Sequence, residues 1–216
     1  HADTVTAAAA DDEGNPATAT GSATVSFTDV LPALAASKTP SVGSVPEPGA
    51  TVTFSVEVRN LSPEAVTLTT LTDDVFGDLR FPGNPAVANN TCPAQPALIP
   101  AGGTLSCSFD GYLAGNAAGP DHLNVLTASA LDDEGNPAQA EARAAVAFSD
   151  VAPTLTTSKT PSAGAVPEPG ETVTFTVAVT NTSVEPVILT SLIDSVFGDL
   201  RDPANPLVSA NTCPTQ

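Results

Sequence analysis

Apolar and polar residues alternate with a period of two along most of the chain, and this predicts strands. The clearest run is Thr51-Val52-Thr53-Phe54-Ser55-Val56-Glu57-Val58. Val52, Phe54, Val56 and Val58 form one face, and Thr51, Thr53, Ser55 and Glu57 form the other. Leu34, Ala36 and Lys38 share one parity before it. Val66 and Leu68 resume the pattern after the Asn60–Pro63 turn. Leu105, Cys107 and Phe109 alternate next, then Leu126, Ala128 and Ala130, and finally Ala144, Val146 and Phe148. Pro/Gly and Asp/Asn clusters separate these runs, and no helical stripe competes with them. The pattern predicts about seven strands in about 120 residues, arranged as an antiparallel β-sandwich of immunoglobulin-like type.

The pattern also repeats. His1 aligns with His122, and the offset of 121 holds without a gap to the last residue. Asp11–Pro16 returns as Asp132–Pro137, Val75–Arg80 as Val196–Arg201, and Asn90-Thr91-Cys92-Pro93 as Asn211-Thr212-Cys213-Pro214. A fixed period of this kind marks a tandem array. The strand patterns end at Asp29-Val30-Leu31-Pro32 and Asp150-Val151-Ala152-Pro153. This divides the chain into the late part of a first repeat (1–32), a whole repeat (33–151) and the early part of a third (152–216). Fold class is therefore read as all-β, with tandem immunoglobulin-like antiparallel β-sandwich repeats. Unpaired edges or incomplete repeats would take a strand from a neighbouring copy, so the expected partners are other copies of the chain, end to end or strand-complemented.

Composition narrows the function. The 24 acidic residues outweigh 6 basic ones, for a net charge of −18. Nucleic-acid binding is excluded on this balance, because neutralising phosphates needs Lys and Arg. No apolar run predicts membrane insertion. The charge suits a soluble extracellular chain, or one that gathers cations. His122 stands near no nucleophile motif, and no phosphate-binding glycine loop occurs, so catalysis is not expected.

Three cysteines are present. Cys92 and Cys107 fall in one repeat, and Cys213 matches Cys92 in the next. The simplest account is a Cys92–Cys107 disulfide, with the partner of Cys213 beyond the chain, in an oxidising compartment. Three free buried thiols are the alternative.

Three motifs carry a family resemblance. They are Leu34-x-x-Ser37-Lys38-Thr39-Pro40, then Pro46-Glu47-Pro48-Gly49-x-Thr51-Val52-Thr53-Phe54-x-Val56-x-Val58-x-Asn60, and Leu68-Thr69-x-Leu71-x-Asp73. Together they resemble the conserved repeat of prokaryotic surface proteins, an immunoglobulin-like module long filed as a domain of unknown function. The resemblance implies an extracellular stalk or fibre and no particular chemistry.

Two clusters of candidate chemistry remain. Lys38 and its repeat equivalent Lys159 are the only lysines. Its parity points Lys38 inward, where an ammonium is costly unless paired. Asn124 points inward on a late strand, and its equivalent in the first repeat is Asp3. A lysine on a first strand facing an Asn or Asp on a late one resembles surface adhesins with intramolecular isopeptide bonds. Such a bond needs a carboxyl to shuttle protons, and Asp73 is the candidate. The alternative is a lysine at a sheet edge with its amine in water. The second cluster is acidic. Asp132, Asp133, Glu134 and Asn136 crowd one turn, and Asp150 and Glu168 are expected nearby. Six oxygen-bearing side chains suit calcium, although hairpin turns favour these residue types without any ion. The expected function is an extracellular stalk, sheath or filament element; the alternative is a calcium-dependent adhesin for carbohydrate or protein, with Phe81 and Tyr112 as its exposed aromatics.

Overall fold

The computed structural model describes residues 1–215. Every regular element among them is a strand, so the protein is all-β. In chain order these are β1 (Ala2–Ala10), β2 (Pro16–Thr24), β3 (Leu34–Pro40), β4 (Ser44–Pro46), β5 (Gly49–Asn60), β6 (Val66–Asp73), β7 (Gly77–Asp78), β8 (Val87–Ala88), β9 (Ala97–Ile99) and β10 (Thr104–Ala114). They continue with β11 (His122–Leu131), β12 (Pro137–Ser149), β13 (Leu155–Pro161), β14 (Phe175–Asn181), β15 (Ile193–Asp194) and β16 (Gly198–Asp199).

The chain forms two compact units, whose borders fall between β3 and β4 and inside β5, β10, β11 and β12. The first comprises His1–Ser41, Val52–Gly111 and Leu123–Ala144. Here β3, β5, β10 and β8 line up in one sheet, while β12, β11, β6 and β7 form another with β9 beside β6. The alternation of β5 is realised as read: Val52, Phe54, Val56 and Val58 are fully buried between exposed polar neighbours. Phe54 stacks on Phe109 of β10 with ring centroids 5.4 Å apart, and Phe76 meets both rings at 5.6 and 5.4 Å. Burying three such rings supplies several kcal/mol. β1 and β2 form a hairpin paired only with each other, and every residue in it is exposed.

The ladder between β6 and β11 is irregular. It runs from Leu126–Asp73 to Leu131–Thr67, and the register shifts between Ser129 and Ala130. A bulge changes which residues face inward. Val66 and Leu68 are buried, and beyond the shift so are Leu71 and Asp73. Asp73 thus enters the core although strict alternation from Val66 would turn it outward.

The second unit comprises Val42–Thr51, Tyr112–His122 and the described residues from Ala145. β4 runs parallel to the end of β12 at Ala147–Ser149. β13 and β14 pair antiparallel, as do β15 and β16.

Candidate functional site

β3 brings Lys38 to the core of the first unit at the register position opposite Val56. β6 brings Asp73, and β11 brings Asn124, two positions from the Leu126 that pairs with Asp73. The Lys38 Nζ donates to Asp73 Oδ2, and both side chains are wholly buried. Asn124 Nδ2 lies 3.2 and 3.3 Å from the two Asp73 oxygens. Asp73 Oδ1 also accepts the N–H groups of Val75 at 3.1 Å and Phe76 at 3.0 Å. Lys38 and Asn124 therefore converge on the Asp73 carboxylate. Lys38 is not a surface lysine with its amine in water.

Aromatic rings close the cluster. Nζ sits 4.4 Å from the Phe54 centroid, 5.2 Å from that of Phe109 and 5.4 Å from that of Phe76. Their faces attract a cation, but burial dominates and pushes the Lys38 amine below its ordinary pKa, with Asp73 and then Asp74 acting against that shift. Asn124 Oδ1 is buried and accepts no hydrogen bond. An orphaned buried acceptor is costly and needs a reason.

The third repeat carries a second copy of half this arrangement. Lys159 pairs with Asp194, and its Nζ lies 4.4 Å from the Phe175 centroid and 5.1 Å from that of Phe197. Asp194 also accepts the N–H groups of Val196 and Phe197. Here the Lys159 side chain is 37% exposed. The Lys159 ammonium, followed by the two N–H groups, lowers Asp194 to about 2. A carboxylate depressed in the folded state contributes stability that is present above its unfolded pKa, about 3.9, and lost as pH falls through its folded value. An NMR titration of the Asp194 carboxyl is expected to show its midpoint near 2. A midpoint at the unfolded value would mean that the pair does not persist in solution.

Cys92 and Cys107 form a disulfide, and Cys213 is a free thiol. Closing a loop of this length stabilises by about 3 kcal/mol in the chain-entropy account.

The acidic candidates do not gather as one set. Asp132 Oδ1 accepts the Asn136 N–H at 2.7 Å, and Asp132 Oδ2 accepts Asn136 Nδ2 at 3.0 Å, so these two residues hold the turn itself. Glu134 joins Asp29 and Glu64, with Asp133 beside it raising its pKa and Asn136 Nδ2 donating to Asp29 Oδ2 at 2.9 Å, while Glu168 is exposed and belongs to neither acidic group. In the second unit Asp150 meets Glu47 and Glu185. Glu47 is buried and accepts the N–H groups of Ala117 at 2.7 Å and Val151 at 2.9 Å. Those bonds hold its pKa down, whereas Glu47 raises Asp150, and burial followed by Glu47 raises Glu185. The sequence pattern pointed to Glu168 and missed its repeat equivalent Glu47. The signal available was the shared Pro-Glu-Pro-Gly turn, which does not say which copy approaches Asp150. Asp29 with Glu64 and Asp150 with Glu185 are repeat equivalents, so the same acidic pair recurs.

No family model matches the chain, and no curated protein matches it.

Proposed function

We propose that the chain is an extracellular structural element built of tandem immunoglobulin-like repeats, serving as part of a stalk, sheath or filament. The observation that carries this reading is the recurrence of internal contacts at the repeat offset. Lys38–Asp73 and Phe54–Phe76 recur as Lys159–Asp194 and Phe175–Phe197, with ring centroids 5.6 Å apart in both cases. Asn60 Nδ2 to Glu64 O recurs as Asn181 Nδ2 to Glu185 O, 2.6 Å in both. A unit duplicated down to its side-chain contacts serves length and mechanical uniformity, because each repeat adds the same increment of structure. The disulfide supports an oxidising, extracellular setting. The resemblance to surface-protein repeats points the same way.

Antibodies raised against the chain are expected to label intact cells of its source. Labelling only after permeabilisation would contradict the extracellular reading.

A calcium-dependent adhesin is the second reading, favoured by the recurring Asp29–Glu64 and Asp150–Glu185 pairs, each joined by a third carboxylate. Close carboxylates repel, and a divalent cation would relieve that repulsion. On this reading calcium raises the melting temperature and a chelator reverses the rise. Melting indifferent to both would remove it.

A further inference from the structure

The buried cluster of Lys38, Asp73 and Asn124 joins an amine, a carboxyl and a carboxamide in a water-poor pocket. Asp73 touches both of the others, so the amine and the carboxamide are neighbours across one bridging group. The three aromatic rings around Nζ exclude solvent, and this burial outweighs their attraction for a cation and works against the charged amine.

The orphaned Asn124 oxygen bears on the protonation state. As the amide stands, Nδ2 faces Asp73 and Oδ1 accepts nothing. Oxygen and nitrogen of a carboxamide exchange places by a half turn about the Cβ–Cγ bond. With Lys38 neutral and its proton on Asp73, the turned amide accepts a hydrogen bond from the Asp73 hydroxyl. The orphan is then satisfied, and the Asn124 carbonyl is polarised beside an unprotonated amine.

We propose that Lys38 and Asn124 condense spontaneously into an isopeptide bond, with Asp73 relaying the protons. The Lys38 ammonium first gives a proton to Asp73. The Nζ lone pair then attacks Asn124 Cγ while Asp73 protonates Oδ1. Asp73 takes a proton from the attacking nitrogen and delivers it to Nδ2. The Cγ–Nδ2 bond breaks with its electron pair on nitrogen, ammonia leaves, and Oδ1 returns its proton to Asp73 as the carbonyl re-forms. One C–N bond forms, one breaks, nothing is oxidised, and no co-reactant is needed. Proximity supplies the rate, since both reactants are held by paired strands. The product also removes a buried charge from the core.

Residues 152–216 provide an internal control. The described partners of Asp194 are Lys159 and two backbone N–H groups, and no carboxamide among the described residues donates to it. The Lys159 side chain is also 37% exposed, where that of Lys38 is wholly buried. The chain is therefore expected to lose one ammonia, not two.

The test is the intact mass of the full chain after reduction of its disulfide. The expected result is a deficit of one ammonia, about 17 Da, with a branched peptide joining the Lys38 and Asn124 segments after digestion. Lys38→Ala and Asp73→Asn are expected to restore the full mass. An unshifted wild-type mass overturns the proposal whether or not the variants fold. So does a deficit that survives Lys38→Ala, which would place the lost ammonia in a cyclised asparagine. The proposal stands on the geometry of the cluster. An absent bond leaves the surface-labelling result intact, and failed labelling leaves the bond intact.

Discussion

Asp73→Ala is expected to destabilise the first compact unit by about 3–5 kcal/mol, the usual cost of stranding one member of a buried ion pair. The substitution leaves Lys38 among three rings with no carboxylate, and it frees the N–H groups of Val75 and Phe76 that Asp73 accepts. It also removes the proton relay, so any covalent constraint between β3 and β11 is lost with it. The repeat-equivalent Asp194→Ala tests the cause. Lys159 is partly in water and can rehydrate, so the loss there is much smaller. Chemical denaturation of both variants, followed at equilibrium, makes the comparison. Equal losses at the two positions would show that burial of the Lys38 pair is not what makes Asp73 costly to remove.

Gly49→Ala is the second large effect, expected at about 3 kcal/mol from backbone strain and overpacking together. Gly49 has φ +144°, a conformation that L side chains rarely adopt, and an added Cβ would lie 1.9 Å from the Leu113 carbonyl oxygen. That oxygen belongs to backbone and cannot swing away. Gly170, its repeat equivalent, has φ +135° and nothing within 4 Å of the same position. Gly170→Ala therefore carries only the backbone strain, about 1 kcal/mol. Thermal melts of the two variants separate the contributions. If Gly170→Ala costs as much as Gly49→Ala, the clash at Leu113 is not the cause.

Some of the fold and site was legible from residue order, and some required the structure. The β5 face was readable because both of its faces are strongly typed, with Thr, Ser and Glu against Val and Phe. The inward turn of Lys38 followed from parity with Leu34 and Ala36, and the structure buries it. Asp73 is different: the bulge at Ser129/Ala130, not alternation, carries it inside. Only its chemistry, as the carboxyl a buried lysine requires, marked it beforehand. The pairs at β7, β8, β15 and β16 span too few residues to show any period. Partner choice was also out of reach. Composition draws attention to acidic turns, but it does not show that Asp132 and Asn136 satisfy each other, or that Asp150 meets Glu47 rather than Glu168. Those outcomes depend on which strand ends meet in space.

On the proposed reading, the whole repeat is a covalently locked, force-carrying unit. Pulling single molecules of the full chain from its two ends tests it most directly. A bond between Lys38 and Asn124 takes the chain between them out of the force path. With the Cys92–Cys107 disulfide reduced, full extension is then expected to fall short of the unlocked length by roughly 300 Å, at about 3.5 Å per residue, and Lys38→Ala is expected to recover that length. A wild-type chain that extends to the same length as Lys38→Ala would contradict the account.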